Sequence, residues 1–173
     1  GKEEVLVKGG TGSVTDPMVS FDGEWVYYSL FHDMKGGSVA MGPPAGADIY
    51  KIHVPTRKIV RLTHQERTPN TGVVGADGLK HMGVFNLGPC PLPGGRLMFT
   101  SNRNAYVPPR GYPKITLQLF IMDDDGSNVD QIGYLNIACA LHPVILKDGR
   151  LLFSTLESQG GHNSILWGVW SIH

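Results

Sequence analysis

Cys90, His142 and Asp33 are the side chains in this 173-residue sequence with the strongest claim on metal chemistry. A thiolate, an imidazole and a carboxylate together make a donor set suited to zinc, iron or copper. A plainer reading stands beside this one. Cys90 falls in a short apolar segment where a thiol is ordinarily a small buried hydrophobe, and a histidine such as His142 often does no more than cap loop carbonyls. The second cysteine, Cys139, forms no C-x-x-C pair with Cys90, which removes zinc-ribbon and thioredoxin chemistry. No C-x-x-C-H is present to attach a c-type haem within the segment. No G-x-S-x-G, Walker or H-E-x-x-H motif occurs, so hydrolase and nucleotide-binding chemistry find no support.

Three Gly- and Pro-rich stretches carry residue types suited to recognition. The first, from Leu30 to Gly46, contains His32 and Asp33; the second, from Asn102 to Pro113, contains Arg103, Tyr106 and Tyr112; the third, Glu157 to Asn163, contains His162. Arg and Tyr are the types enriched at binding hot spots, and loops on a rigid scaffold are where binding usually resides. The alternative is a set of solvated loops with no ligand. The acidic run Asp123-Asp124-Asp125-Gly126-Ser127-Asn128 lacks the downstream Glu of a calcium-binding EF-hand and reads as a turn.

What positions these residues is an internal repeat. Asp16-Pro17 through Ser29, Gly88-Pro89 through Ser101 and His142-Pro143 through Thr155 align without gaps, matching Cys90 with Met18 and Val144 and placing His142 level with Asp16 and Gly88. Each copy reads as strand, turn, strand, with Asp-Gly or Gly-Gly supplying the turn. A further strand pair follows in the first two copies, Asp48–His53 with Lys58–Thr63 and Gln118–Asp123 with Val129–Gly133. In the third, Trp167–His173 supplies a third strand. Four antiparallel strands per repeat predict an all-β fold of about three propeller blades: residues 16–63, 88–133 and 142–173, the last incomplete. Residues 1–15 are expected to hold an outer strand, Glu4–Lys8, of a neighbouring blade. Since a ring needs roughly four to eight blades, the chain is expected to be part of a six- to eight-bladed ring, made with more of its own chain or with a second copy.

Composition agrees. Gly 23 and Pro 12 against 17% charged residues favour short strands and tight turns, and 41% hydrophobic residues suffice for a core. Fifteen basic and fifteen acidic residues give no net charge, which argues against a nucleic-acid partner. The apolar runs are too short for a membrane-spanning helix, and the charged start Gly1-Lys2-Glu3-Glu4 does not read as a signal peptide.

The pattern Pro-x-x-Ser-x-Asp-Gly, an apolar strand, then Asp48-Ile49-Tyr50 and Arg61-Leu62-Thr63, resembles the TolB-like propeller repeat, as does Ser101-Asn102-Arg103. Within that class, Asp16–Gly23 and Gly88–Arg96 are similar to the propeller region of the hydrazine synthase alpha subunit and its relatives. The resemblance implies a periplasmic or otherwise exported multidomain protein. Its propeller would be a scaffold beside haem-bearing or other protein domains, with any c-type haem or metal ion, and any oxidoreductase activity, outside this segment. It also leaves open a TolB-type protein-interaction propeller, and a metal-dependent redox segment built on Cys90, His142 and Asp33.

Overall fold

The structure is a computed structural model and describes residues 1–37, 42–67, 83–106, 116–132, 139–158 and 165–173. Its strands form three antiparallel sheets. The first holds β1 (Ser13–Val19), β2 (Trp25–Phe31), β3 (Ala47–His53) and β4 (Ile59–Arg61). The second holds β5 (Asn86–Leu92), β6 (Arg96–Ser101), β7 (Gln118–Asp123) and β8 (Asp130–Gln131), and the third β9 (Cys139–Ile145), β10 (Leu151–Ser158) and β11 (Ile165–Ile172). In each sheet neighbours in sequence are neighbours in space, so each is a meander, and its first strand lies beside the first strand of the next: β5 packs against both β1 and β9. This is the radial arrangement of propeller blades expected from the repeat.

The copies do differ by one residue. Ser20 N–H bonds to the Trp25 carbonyl at 2.9 Å, which leaves Phe21–Glu24 in the turn, whereas Leu92 pairs with Arg96 and Leu146 N–H bonds to the Arg150 carbonyl at 2.8 Å, with one residue fewer between them. Cross-strand partners of the aligned residues Met18, Cys90 and Val144 are accordingly Tyr27, Met98 and Leu152. The ungapped match had put Val26 where Tyr27 belongs. Because strand side chains alternate between faces, one residue decides which face of blade 1 is buried.

With that phase the cores repeat. Tyr27, Ile49 and Leu62 of blade 1 pack on Leu97, Phe99, Phe120 and Met122 of blade 2, where the Phe99 and Phe120 rings stack at 5.7 Å. Cys90, Met98 and Leu119 on the opposite side of blade 2 pack on Ala140, Leu151 and Phe153 of blade 3. A side chain as large as Phe153, fully buried, contributes about 1.5 to 3 kcal/mol. At the short-turn end the acidic run is the β7–β8 turn, as read from sequence, and it joins two blades. Lys51 Nζ donates to Asp124 Oδ2 at 2.7 Å and to the Asp124 carbonyl at 2.8 Å, and Tyr27 OH donates to Asp124 Oδ1 at 2.6 Å. Gly126 in that turn has φ +89°, and a Cβ there would lie 2.2 Å from the Leu62 carbonyl oxygen.

Residues 4–8 pair with no strand among the described residues, and the N-terminal segment meets blade 1 on either side of them. Arg57 Nη2 in the β3–β4 turn meets Glu4 Oε2 at 2.7 Å at one end, and Met34 N–H bonds to the Thr11 carbonyl at 3.1 Å at the other.

Candidate functional site

Two sets of residues are brought together at the loop-bearing side of the blades, and the first lines the axis. Asp16, Gly88 and His142 all have positive φ, at 53°, 61° and 50°, and each precedes a proline. In each inner strand the register shifts at this point, between Thr15 and Met18, between Leu87 and Cys90, and opposite Leu152 and Ser154. A β-bulge at the same place in every copy turns the strand and re-aims a side chain. Asp16 Oδ2 accepts from Ser29 Oγ at 3.2 Å and from Gly88 N–H at 3.3 Å, while its Oδ1 faces His142 Nδ1 at 3.6 Å. A Cβ at position 88 would lie 3.3 Å from Pro143 Cδ and 3.7 Å from the His142 backbone, so glycine there gives the third blade room to approach. Around them Pro17, Met18, Pro89, Pro143 and Val144 line a hollow of about 260 Å³. Its wall is apolar except for the Asp16–His142 pair, whose imidazole is 66% exposed.

The second set ties down the roots of the loops. Asp48, at the start of β3, is fully buried and accepts from Thr63 Oγ1 at 2.5 Å, Arg61 Nη2 at 2.6 Å, His32 Nε2 at 2.9 Å, Asn86 Nδ2 at 3.0 Å and Gln65 N–H at 3.0 Å. A carboxylate is tolerated without solvent only when so surrounded by donors. Arg61 also bonds Glu66. Burial is the largest single influence on Arg61 and works against its charge, but the bond and charge of Asp48, with Tyr50 and Glu66, together outweigh it and hold the guanidinium above its ordinary range. Through Asn86, whose Oδ1 accepts from Ser101 Oγ at 2.9 Å and Arg103 Nη2 at 2.7 Å, the network crosses into blade 2. Arg103 lies over the Phe99 and Phe120 rings at 5.1 and 5.0 Å, and its burial pushes the guanidinium down to about 10. One connected set of hydrogen bonds thus fixes the roots of the β2–β3, β4–β5 and β6–β7 connections.

Set against the sequence reading, His32 and Arg103 are anchors at the base of the loop face, and Tyr106 stands exposed upon it. Asp33 accepts from Lys35 N–H at 2.9 Å within its own turn. Tyr112 and His162 lie outside the described residues. Cys90 sits in the apolar seam between blades 2 and 3, where burial raises its thiol above the ordinary value. Cys90, His142 and Asp33 therefore occupy three different surroundings, and no three His, Cys, Asp or Glu side chains among the described residues are grouped to hold a metal ion. Asp48 and Asn86 were missed. Their signal was a polar residue opening an apolar strand, and Gln118, in the place of Asp48 in blade 2, is likewise buried.

No family model matches the sequence, and no curated protein sequence matches it. Solved structures do. A putative TolB from Agrobacterium tumefaciens superposes with a TM-score of 0.59 at 17% identity over 96% of this chain and 50% of its own length. TolB from Acinetobacter baumannii gives 0.57 at 18% identity, over 97% of this chain and 31% of its own. The tricorn protease gives 0.50 at 19% identity, over 86% of this chain and 12% of its own. The chain spans half or less of the propeller-bearing proteins it superposes on, and its fold is that of consecutive β-propeller blades of the TolB-like kind.

Proposed function

We propose that this chain is a protein-interaction propeller segment of an exported protein, binding its partner through the loop-bearing side. The observation that carries the reading is the Asp48 network. A fully buried carboxylate with five donors fixes the roots of three long connections, so that the base of the loop side is set before a partner arrives. Exposed Tyr106 and the half-open Asp16–His142 hollow supply contact groups on that side. Among the described residues the opposite end carries tight turns such as Asp22-Gly23, Gly94-Gly95 and Asp148-Gly149.

The test is affinity capture from a periplasmic extract on immobilised chain. Wild type and a Lys58→Ala control at the short-turn end should retain the same protein, and Tyr106→Ala or His142→Ala should lose it. Retention indifferent to the loop-side variants removes the proposal. The narrower expectation of a scaffold for haem-bearing domains rests on the sequence resemblance of residues 16–23 and 88–96. A Soret band in the retained fraction supports that form, and a colourless partner favours the general interaction module. An exported location likewise rests on the resemblance.

A further inference from the structure

Blade 2 repeats the surroundings of Asp48 without the carboxylate. Strand pairing sets Leu30 opposite Asp48 and Tyr50 opposite Arg61 in blade 1, and Ser101 opposite Gln118 and Phe120 opposite Gln131 in blade 2. Gln118 and Gln131 therefore hold the places of Asp48 and Arg61. Arg103, two residues after Ser101, holds that of His32, two after Leu30. The ring contacts agree: His32 and Arg61 lie 6.2 and 5.9 Å from the Tyr50 ring, and Arg103 lies 5.0 Å from the Phe120 ring. In blade 1 both donors end on one oxygen, Asp48 Oδ2, at 2.9 and 2.6 Å. In blade 2 the residue in that place is a neutral amide.

Arg103 is left with neutral acceptors. Its Nε donates to Ser101 Oγ at 3.2 Å and its Nη2 to Asn86 Oδ1 at 2.7 Å, and no carboxylate among the described residues stands within ion-pair distance. Burial lowers the guanidinium to about 10 even with the Asp48 charge beyond Asn86. Gln131, whose Oε1 accepts from Asn104 Nδ2, keeps a second donor, because its Nε2 is shut off from solvent and meets no acceptor among the described residues. A shielded donor without an acceptor and a half-buried cation without a counter-charge each cost stability that an anion would restore. Arg103 is still partly exposed, so the place can be reached. Blades 1 and 3 flank blade 2 on its two faces, and the two donors owe nothing to the ends of the chain.

We propose that the loop-bearing end of blade 2 is a carboxylate site, where an acidic group from outside the chain lies against Arg103 and Gln131 and supplies the charge that Asp48 supplies in blade 1. One guanidinium balances one negative charge, and its planar fork matches a carboxylate. That an acidic side chain of the loop-side partner carries the group rests on the interaction reading above; the site itself does not.

Nitrogen-15 spectra test it through the Arg103 Nε–Hε resonance, identified by its loss in Arg103→Gln. Sodium acetate should move it along a saturable one-site curve and raise the melting temperature, and equal sodium chloride should do neither. Gln118 pairs with Ser101, which holds Arg103 Nε, so Gln118→Glu brings a resident carboxylate to the site; it should raise the melting temperature and abolish the acetate shift. Gln131→Leu keeps the charge and removes one donor, and should weaken acetate by roughly tenfold. An acetate shift no larger than that in chloride overturns the proposal. So do unchanged acetate affinity in Gln131→Leu, a folded Gln118→Glu chain that responds as wild type, and a stronger response to sodium phosphate than to acetate. A peptide with one glutamate and blocked ends that binds more tightly than acetate supports a protein carrier, and equal affinity assigns the site to a free carboxylate. Capture that depends on Tyr106 without any acetate shift keeps the interaction reading and discards this one; the converse keeps only the site.

Discussion

Replacing Asp48 by asparagine tests the network at its centre. The amide keeps the shape and one acceptor oxygen, so Thr63 and Asn86 can still donate to it, but its NH2 group is turned against Arg61 and His32. Removing one member of a buried ion pair costs about 3 to 5 kcal/mol. Arg61 is 28% exposed and keeps Glu66, so solvent and the second carboxylate bring the expected loss towards the lower end, about 3 kcal/mol. With a urea slope of about 2 kcal/mol/M, the unfolding midpoint should fall by roughly 1.5 M. Urea titration followed by tryptophan fluorescence reads it. Adding Arg61→Met should restore part of the loss, because the uncompensated cation is then gone. A loss below about 1 kcal/mol, or a double variant no better than the sum of the singles, would show that Asp48 is not the group holding the loops.

Three further outcomes follow from the packing. In the unfolded chain the Cys90 thiol ionises near about 8.5, while in the fold burial keeps it protonated to higher pH. Stability present below that value is therefore lost as pH rises through it, and Cys90→Ala should flatten the fall in urea midpoint between pH 8 and pH 10, relative to wild type. Gly126→Ala places a methyl group against the Leu62 carbonyl at positive φ and should cost on the order of 3 kcal/mol, read from the thermal midpoint. His142→Gly should raise stability by up to about 1 kcal/mol, since the left-handed strain at φ 50° is relieved and the exposed Asp16 contact adds little; a lower melting temperature would contradict this.

The blades were legible in the sequence because turn residues and apolar strands repeat in a fixed order, and Gln118–Asp123 was found to the residue. Alignment placed His142 level with Asp16 and Gly88, but the partner expected for it was Cys90, and the 3.6 Å approach of His142 to Asp16 was not foreseen. Two further things were not legible. The added residue between Phe21 and Glu24 is hidden because Asp22-Gly23 still matches Gly94-Gly95 and Asp148-Gly149; only strand pairing exposes it. The Asp48 network joins residues 13 to 38 positions apart, and a polar residue opening an apolar strand marks the place without naming its partners.

That added residue bears on any attempt to design an idealised repeat from this chain. Averaging the three copies position by position would blend inward-facing Tyr27 with Phe99 and Phe153, which look the other way in their own blades. A consensus unit built so would present greasy side chains on both flanks and aggregate, whereas one built after deleting a single residue from the Phe21–Glu24 corner would stack.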